Sequence, residues 1–125
     1  MSRSDDAAAQ SAPPRPSTAD RSRGTDGGAY TAEVAEQVGQ AALQLGARLR
    51  DPGVPHSVAE IEQVTRGFAT TVDGMAEGLA GVNDWLRAAG HAGALTGHAG
   101  AVGDRLAHVG RELARLAEAV AAAER

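Results

Sequence analysis

An all-α domain is predicted: an antiparallel three-helix bundle or helical hairpin with coiled-coil-like seams, behind a disordered N-terminal tail. Three observations predict it. First, Ile61, Thr65, Phe68, Val72, Met75, Leu79, Val82 and Leu86 recur in alternating steps of four and three, which is the heptad period of a helix that lies against other helices. Second, Val102, Leu106, Val109, Leu113, Leu116, Val120 and Ala123 repeat the same alternation further on. Third, helix-breaking clusters separate the periodic stretches, at Asp51-Pro52-Gly53-Val54-Pro55 and in the Gly-rich run from Gly90 to Gly103. Proline cannot continue a helix and glycine readily ends one.

Residues 1–29 read as a disordered tail, and residues 30–125 as the helical part. No bulky aliphatic residue appears between Met1 and Val34, and Pro13, Pro14 and Pro16 lie close together. Such a segment buries too little surface to offset the entropy of ordering it. The run Pro13-Pro14-Arg15-Pro16 resembles a polyproline ligand.

The first helix is expected over about 31–50. Thr31 is its expected N-cap, and Glu33 would stand in the first turn, where the helix dipole favours an acid. Val34, Val38, Ala42, Leu45 and Leu49 form its apolar stripe, and Arg48 and Arg50 suit its last turn. The second helix is expected over 57–89. It opens on Ser57-Val58-Ala59-Glu60, the spacing of a capping box. The third is expected over about 97–124, with Thr96 as its N-cap. Gly103, Gly110 and Ala117 form a small-residue edge beside its apolar seam, one heptad apart.

Beside the central seam runs a second pattern, Gly67, Thr71, Gly74, Gly78 and Gly81. Each glycine inside a helix costs about 1 kcal/mol relative to alanine. The stripe is either a groove that admits another helix backbone or an exposed face shaped by base composition. Trp85 flanks the seam near the end of the central helix. It is expected to cap the open end of the bundle, or else to stand partly exposed as an anchor for a partner.

Composition narrows the function. The chain has 125 residues, enough for one domain, and its three aromatic residues are Tyr30, Phe68 and Trp85. A core of Ala, Val and Leu is thin, since burying a Leu or Val contributes roughly 1.5–3 kcal/mol and Ala far less. Self-association or a partner helix would supplement it. There is no cysteine, so thiol catalysis, disulfides and Cys-ligated zinc are excluded. All twelve basic residues are Arg, which together with the abundance of Ala and Gly points to a GC-rich genome. Four Arg and four Asp cancel before residue 30, so the whole net charge of −4 lies in the helical part. That argues against a nucleic-acid partner, which needs a basic patch. No apolar run reaches the ~18 residues of a membrane span, and no signal-peptide pattern opens the chain. The expected location is the cytoplasm, with signal-less secretion as the alternative.

No catalytic or cofactor apparatus is legible. His91 and His98, if helical, stand about 10 Å apart, too far to share one zinc. Asp104 and His108 would supply half a metal site, on the solvent side of the third helix. The carboxylate pairs Glu60 with Glu62 and Asp73 with Glu77 fall on polar faces, away from the apolar seam. No catalytic, cofactor or metal residues are therefore assigned. The expected function is non-enzymatic: a protein–protein interaction or scaffold module acting through helix packing, with a homo-oligomer or a helical protein as partner. Trp85, Gly67, Gly74, Gly78 and Gly81 are its interaction candidates. A small signal-less secreted helical protein is the alternative, and a metal-binding regulatory module the more distant one.

A helical hairpin of this size with Trp85 near the turn resembles the WXG100 proteins exported by type VII secretion. Their motif has Gly two residues after Trp, where this chain reads Trp85-Leu86-Arg87, and their C-terminal export signal uses a tyrosine, whereas Tyr30 is the only one here. From about Val58 onward the chain looks like the small Ala-rich helical proteins of high-GC actinobacteria in which a Trp-Leu pair ends a central helix. That resemblance implies no activity.

Overall fold

The computed structural model describes the backbone of residues 23–124 and the side chains of residues 28–123. It is all-helical, with α1 over Arg23–Arg50, α2 over Val58–Ala88 and α3 over Ala94–Glu124. Two compact units divide the chain, Met1–Val54 and Pro55–Arg125. Most of the segment expected as a tail, residues 1–22, lies outside the described residues, and Arg23–Ala29 are helix.

In the first unit α1 begins eight residues before the expected start. Thr31 is therefore inside the helix and is not its N-cap, and Glu33 is not in its first turn. The first bulky aliphatic residue of the helix, Val34, lies eleven residues inside it. Helix propagation does not need one, because each added residue is held by a backbone hydrogen bond. The C-terminal end follows expectation, with Arg48 and Arg50 in the last turn. There Asp51 Oδ1 accepts from Gly53 N at 2.9 Å and Asp51 O accepts from Val54 N at 3.1 Å, an Asx turn that stops the helix. Val34, Val38 and Leu43 are exposed, and Leu45 and Leu49 are half-buried.

The second unit is an antiparallel hairpin in which α2 packs closely on α3. Ser57 has extended backbone angles and its Oγ accepts from Glu60 N at 3.0 Å, the N-cap that the sequence predicts. The Glu60 carboxylate meets His56 Nδ1 at 3.0 Å. At the other end, Gly90 adopts φ +88°. Gly90 N donates to Arg87 O at 3.1 Å and His91 N to Leu86 O at 2.7 Å. These are the two bonds of a Schellman motif, and its left-handed residue is one that only glycine adopts without strain.

α3 begins at Ala94, preceded by Gly93 at φ +107°, whose carbonyl accepts from Gly97 N at 2.9 Å and so places Gly93 as the N-cap. Thr96 is not the cap; it sits on the first turn and is 5% exposed. Its hydroxyl accepts from Gly93 N and donates to Gly93 O, both at 3.0 Å. It thus reaches back to the cap residue, as Glu or Gln does in a capping box. A link this short leaves antiparallel neighbours as the arrangement the chain can reach.

Small residues make one half of the α2–α3 seam. A Cβ built on Gly103 would lie 3.7 Å from Leu79 Cβ and 3.9 Å from Ala76 O. One built on Gly110 would lie 3.8 Å from Ala69 O, and one on Gly100 3.9 Å from Asn83 Nδ2. The residue numbers in these pairs sum to about 182, and continuing the register brings Thr65 level with Ala117, both of them buried. Ala69 and Ala117 are the only buried apolar residues among those described, and no large side chain is fully buried.

The expected seams are corrected accordingly. Thr65, Val72, Leu79 and Leu86 do face α3, and Leu106, Leu113 and Val120 face α2, each set one heptad apart. The other half of each seam is Ala69, Ala76 and Asn83 on α2 and Gly103, Gly110 and Ala117 on α3. Met75, Val82, Val109 and Leu116 instead remain 43–52% exposed. At 100° per residue, this turns each helix by about 50° from the expected contact line. Thr65, buried in the seam, keeps its hydroxyl satisfied by donating to Ile61 O at 2.8 Å.

Candidate interaction surface

The rotation of the seam decides what each side of the hairpin presents. On one side Asp73, Ala80, Gly100 and Ala107 line a single shallow groove running between the helices. These four lie one step beyond the small half of each seam. The residues beyond the bulky half therefore share the opposite side. That side carries the exposed Met75 and Val82 from α2 and Val109 and Leu116 from α3, with the half-buried Phe68 and Val102 continuing the two rows.

In the antiparallel register these side chains interleave. Val109 stands at a height between Phe68 and Met75, and Val102 at a height between Met75 and Val82. The result is one apolar face along the hairpin. Exposed large apolar residues at regular spacing are an interaction signal where they are contiguous, and carry none where they are scattered. Leu95, 56% exposed, continues the α3 row towards the turn, and Trp85, 65% exposed, stands beside the α2 row at the same end.

Trp85 does not cap the hairpin; two-thirds of it is open to solvent. Its position is one residue before Leu86, on the outer flank of the apolar face. A single α2–α3 pair has no open end wide enough for an indole to cover. Nothing lies within 4 Å of a Cβ built on Gly67, Gly74, Gly78 or Gly81. These four glycines run along the outer rim of α2, away from α3. The close approach of helices within the hairpin uses Gly103 and Gly110 instead. The sequence signal for that approach was present in the small-residue edge of α3, but the bulkier residues beside it set the predicted frame.

The two rims of the apolar face differ. The α2 rim is short, with Gly67, Thr71, Gly74 and Gly78, and carries no charge over that span. The α3 rim is long and charged, with Arg105, His108, Glu112 and Arg115. Glu112 pairs with Arg115 one turn on, and His108 Nε2 lies 3.6 Å from Glu112. The Glu112 carboxyl is held below the usual carboxylate range, first by the hydrogen bond from Arg115 and then by the charge of the same guanidinium. These groups are exposed, so their pairing adds little to the stability of the fold.

The groove on the other side is acidic and small-residued, lined by Asp73, Glu77 and Asp104 beside alanines and glycines. Asn83 Oδ1 and His56 Nε2 are buried without a hydrogen-bond partner among the described residues. They stand near opposite ends of α2 and share no site. Among the described residues no three His, Asp or Glu side chains come together to hold a metal ion. Asp104 and His108 keep their solvent-side positions, and His91 and His98 are exposed. No helix among the described residues is long and apolar enough to cross a membrane. No protein-family model, curated protein or solved structure matches this chain.

Proposed function

We propose that this chain is a non-enzymatic interaction module that works by helix packing, using the apolar face of the α2–α3 hairpin. One observation carries the reading: Met75, Val82, Val109 and Leu116 stand at heptad spacing on one side and are 43–52% exposed. A face of this kind loses free energy in water at roughly 25 cal/mol per Å² of apolar surface, and a helix laid along it recovers that loss. The heptad spacing selects helical partners, because knobs on a helix fill holes of the same period. On this reading the module acts in the cytoplasm. Recovery of the chain from culture supernatant would instead favour the secreted, type VII-like alternative.

The test is site-specific photo-crosslinking in the native cell. A photoreactive side chain replaces Leu116 on the apolar face in one variant and Ala80 on the grooved side in another. Protein adducts are expected from position 116 and not from position 80. Equal yields at the two positions, or none at 116, would overturn the reading.

A further inference from the structure

We infer that the occupant of the apolar face is a second copy of this chain, with α2 of each hairpin laid against α3 of the other to complete a four-helix bundle. The inference rests on the interaction reading above and names its partner. The hairpin has an unmet need for burial: its buried apolar residues are Ala69 and Ala117, and no large side chain is fully buried. The face has the area to meet it. Helices of 31 residues are about 46 Å long. Two of them side by side, at the usual 8–10 Å spacing, present a face of about 800–900 Å². A stable interface needs about 800 Å² from each partner.

The unequal rims favour this copy and this arrangement. A two-fold axis parallel to the helices keeps every residue at its own height, so the hairpin register also sets the contact between copies. The partner's Arg105 then comes level with Gly74 and Gly78, and the partner's Glu112 with Gly67 and Thr71. Long side chains lie over positions where nothing stands within 4 Å of a Cβ. Near the turn, Trp85 comes beside the partner's Leu95, which pairs the two most exposed large apolar side chains of that end. A two-fold axis across the helices would set long rim on long rim and glycine on glycine. The two sides of that bundle would differ in width, which parallel helix packing does not accommodate.

The experiment is sedimentation of the full chain from low to high micromolar concentration, with Leu116→Arg and Ala80→Arg beside it. A dimer is expected for wild type and for Ala80→Arg. Leu116→Arg should weaken association by about thirtyfold or more, the effect of losing a hot spot of about 2 kcal/mol. Contact between copies is read by mixing Gly78→Cys chains with Arg105→Cys chains. The native chain has no cysteine, so an oxidised heterodimer across that pair reports the proposed arrangement directly, whatever the fate of Leu116→Arg. A dimer that survives Leu116→Arg, or Gly78→Cys chains that couple to each other in preference to Arg105→Cys chains, would overturn the inference. A monomeric wild type destabilised by Leu116→Arg would also overturn it while leaving the interaction reading intact, the occupant then being another helix. A monomeric wild type indifferent to Leu116→Arg would sink both.

Discussion

The side chain of Asp73 lies across the Cα of Gly110, in the space where a Cβ on residue 110 would stand. A Cβ there would collide with Asp73 Oδ1, lie 3.3 Å from Cγ and come within 3.8 Å of Ala69 O. Gly110 is buried, and Ala69 O stands at ordinary contact distance, so the obstacle to a side chain at this level is the movable carboxylate of the exposed Asp73. Gly103, one heptad earlier, has only ordinary contacts around the same position.

The two glycines therefore respond differently to the same change. Gly103→Ala is expected to stabilise the hairpin by up to about 1 kcal/mol, the helix-propensity gain. Gly110→Ala makes the same gain but must displace Asp73, so it should fall below Gly103→Ala. Adding Asp73→Ala should abolish the difference. Gly110→Leu should destabilise by about 1–3 kcal/mol through overpacking. Urea denaturation at one fixed protein concentration reads all four. Equal effects of alanine at positions 103 and 110 would show that the Asp73 carboxylate moves aside without cost.

Rotation of the seam gives a second prediction. Ala76→Leu places a bulky chain into the α2–α3 contact and should cost about 1–3 kcal/mol. Met75→Leu, one residue away on the apolar face, should change stability by less than about 1.5 kcal/mol. Thermal melts that rank the two the other way would restore the frame in which Met75 faces α3.

The turn gives a third. Gly90→Ala should cost about 1–2 kcal/mol, because an L side chain is strained at φ +88°. Gly90→Asn should cost less, since Asn tolerates that region. Thr96→Val keeps the shape but removes both hydrogen bonds to Gly93. It should destabilise by about 0.5–1.5 kcal/mol, the net worth of a hydrogen bond, because Gly93 is exposed and its carbonyl also accepts from Gly97 N. Wild-type stability in Thr96→Val would show that the hydroxyl only fills space.

At the start of α2, Ser57→Ala should cost about 1 kcal/mol and Ser57→Gly a few tenths. Circular dichroism melts would show the order. A Ser57→Ala chain that melts with wild type would mean that another acceptor serves Glu60 N.

Acidification should weaken the contribution of Glu112. Its pKa is lowered in the folded chain by Arg115. The stabilisation is therefore present above the ordinary carboxylate range and is lost as pH falls through the lowered folded value. The effect is small because the pair is exposed. The difference in melting temperature between wild type and Glu112→Gln should shrink as the pH is lowered through that range. A difference that grows on acidification would reverse the assignment.

Much of the fold was legible in the sequence for local reasons. Proline at 52 and 55, Ser57 three residues before Glu60, and Gly90 at a helix end act through backbone geometry within a few residues. The α2 and α3 spans follow from them almost unchanged. So does the set of leucines and valines at positions 72, 79, 86, 106, 113 and 120, which any heptad frame places in the seam. The start of α1 was not legible, because residues 23–29 carry no apolar periodicity to mark it.

Tertiary structure alone decided which neighbours of that shared row complete the contact. The heptad pattern allows two answers, the bulky residues at 75, 82, 109 and 116 or the small ones at 69, 76, 103, 110 and 117. By side-chain transfer energy the bulky set looks like the core, since alanine and glycine contribute little on burial. Choosing the small set instead brings two backbones close together, and that gain depends on both helices at once. No single stretch of sequence contains it. The same choice turned the bulky residues outward, and so made an apolar surface out of what the sequence presented as a core.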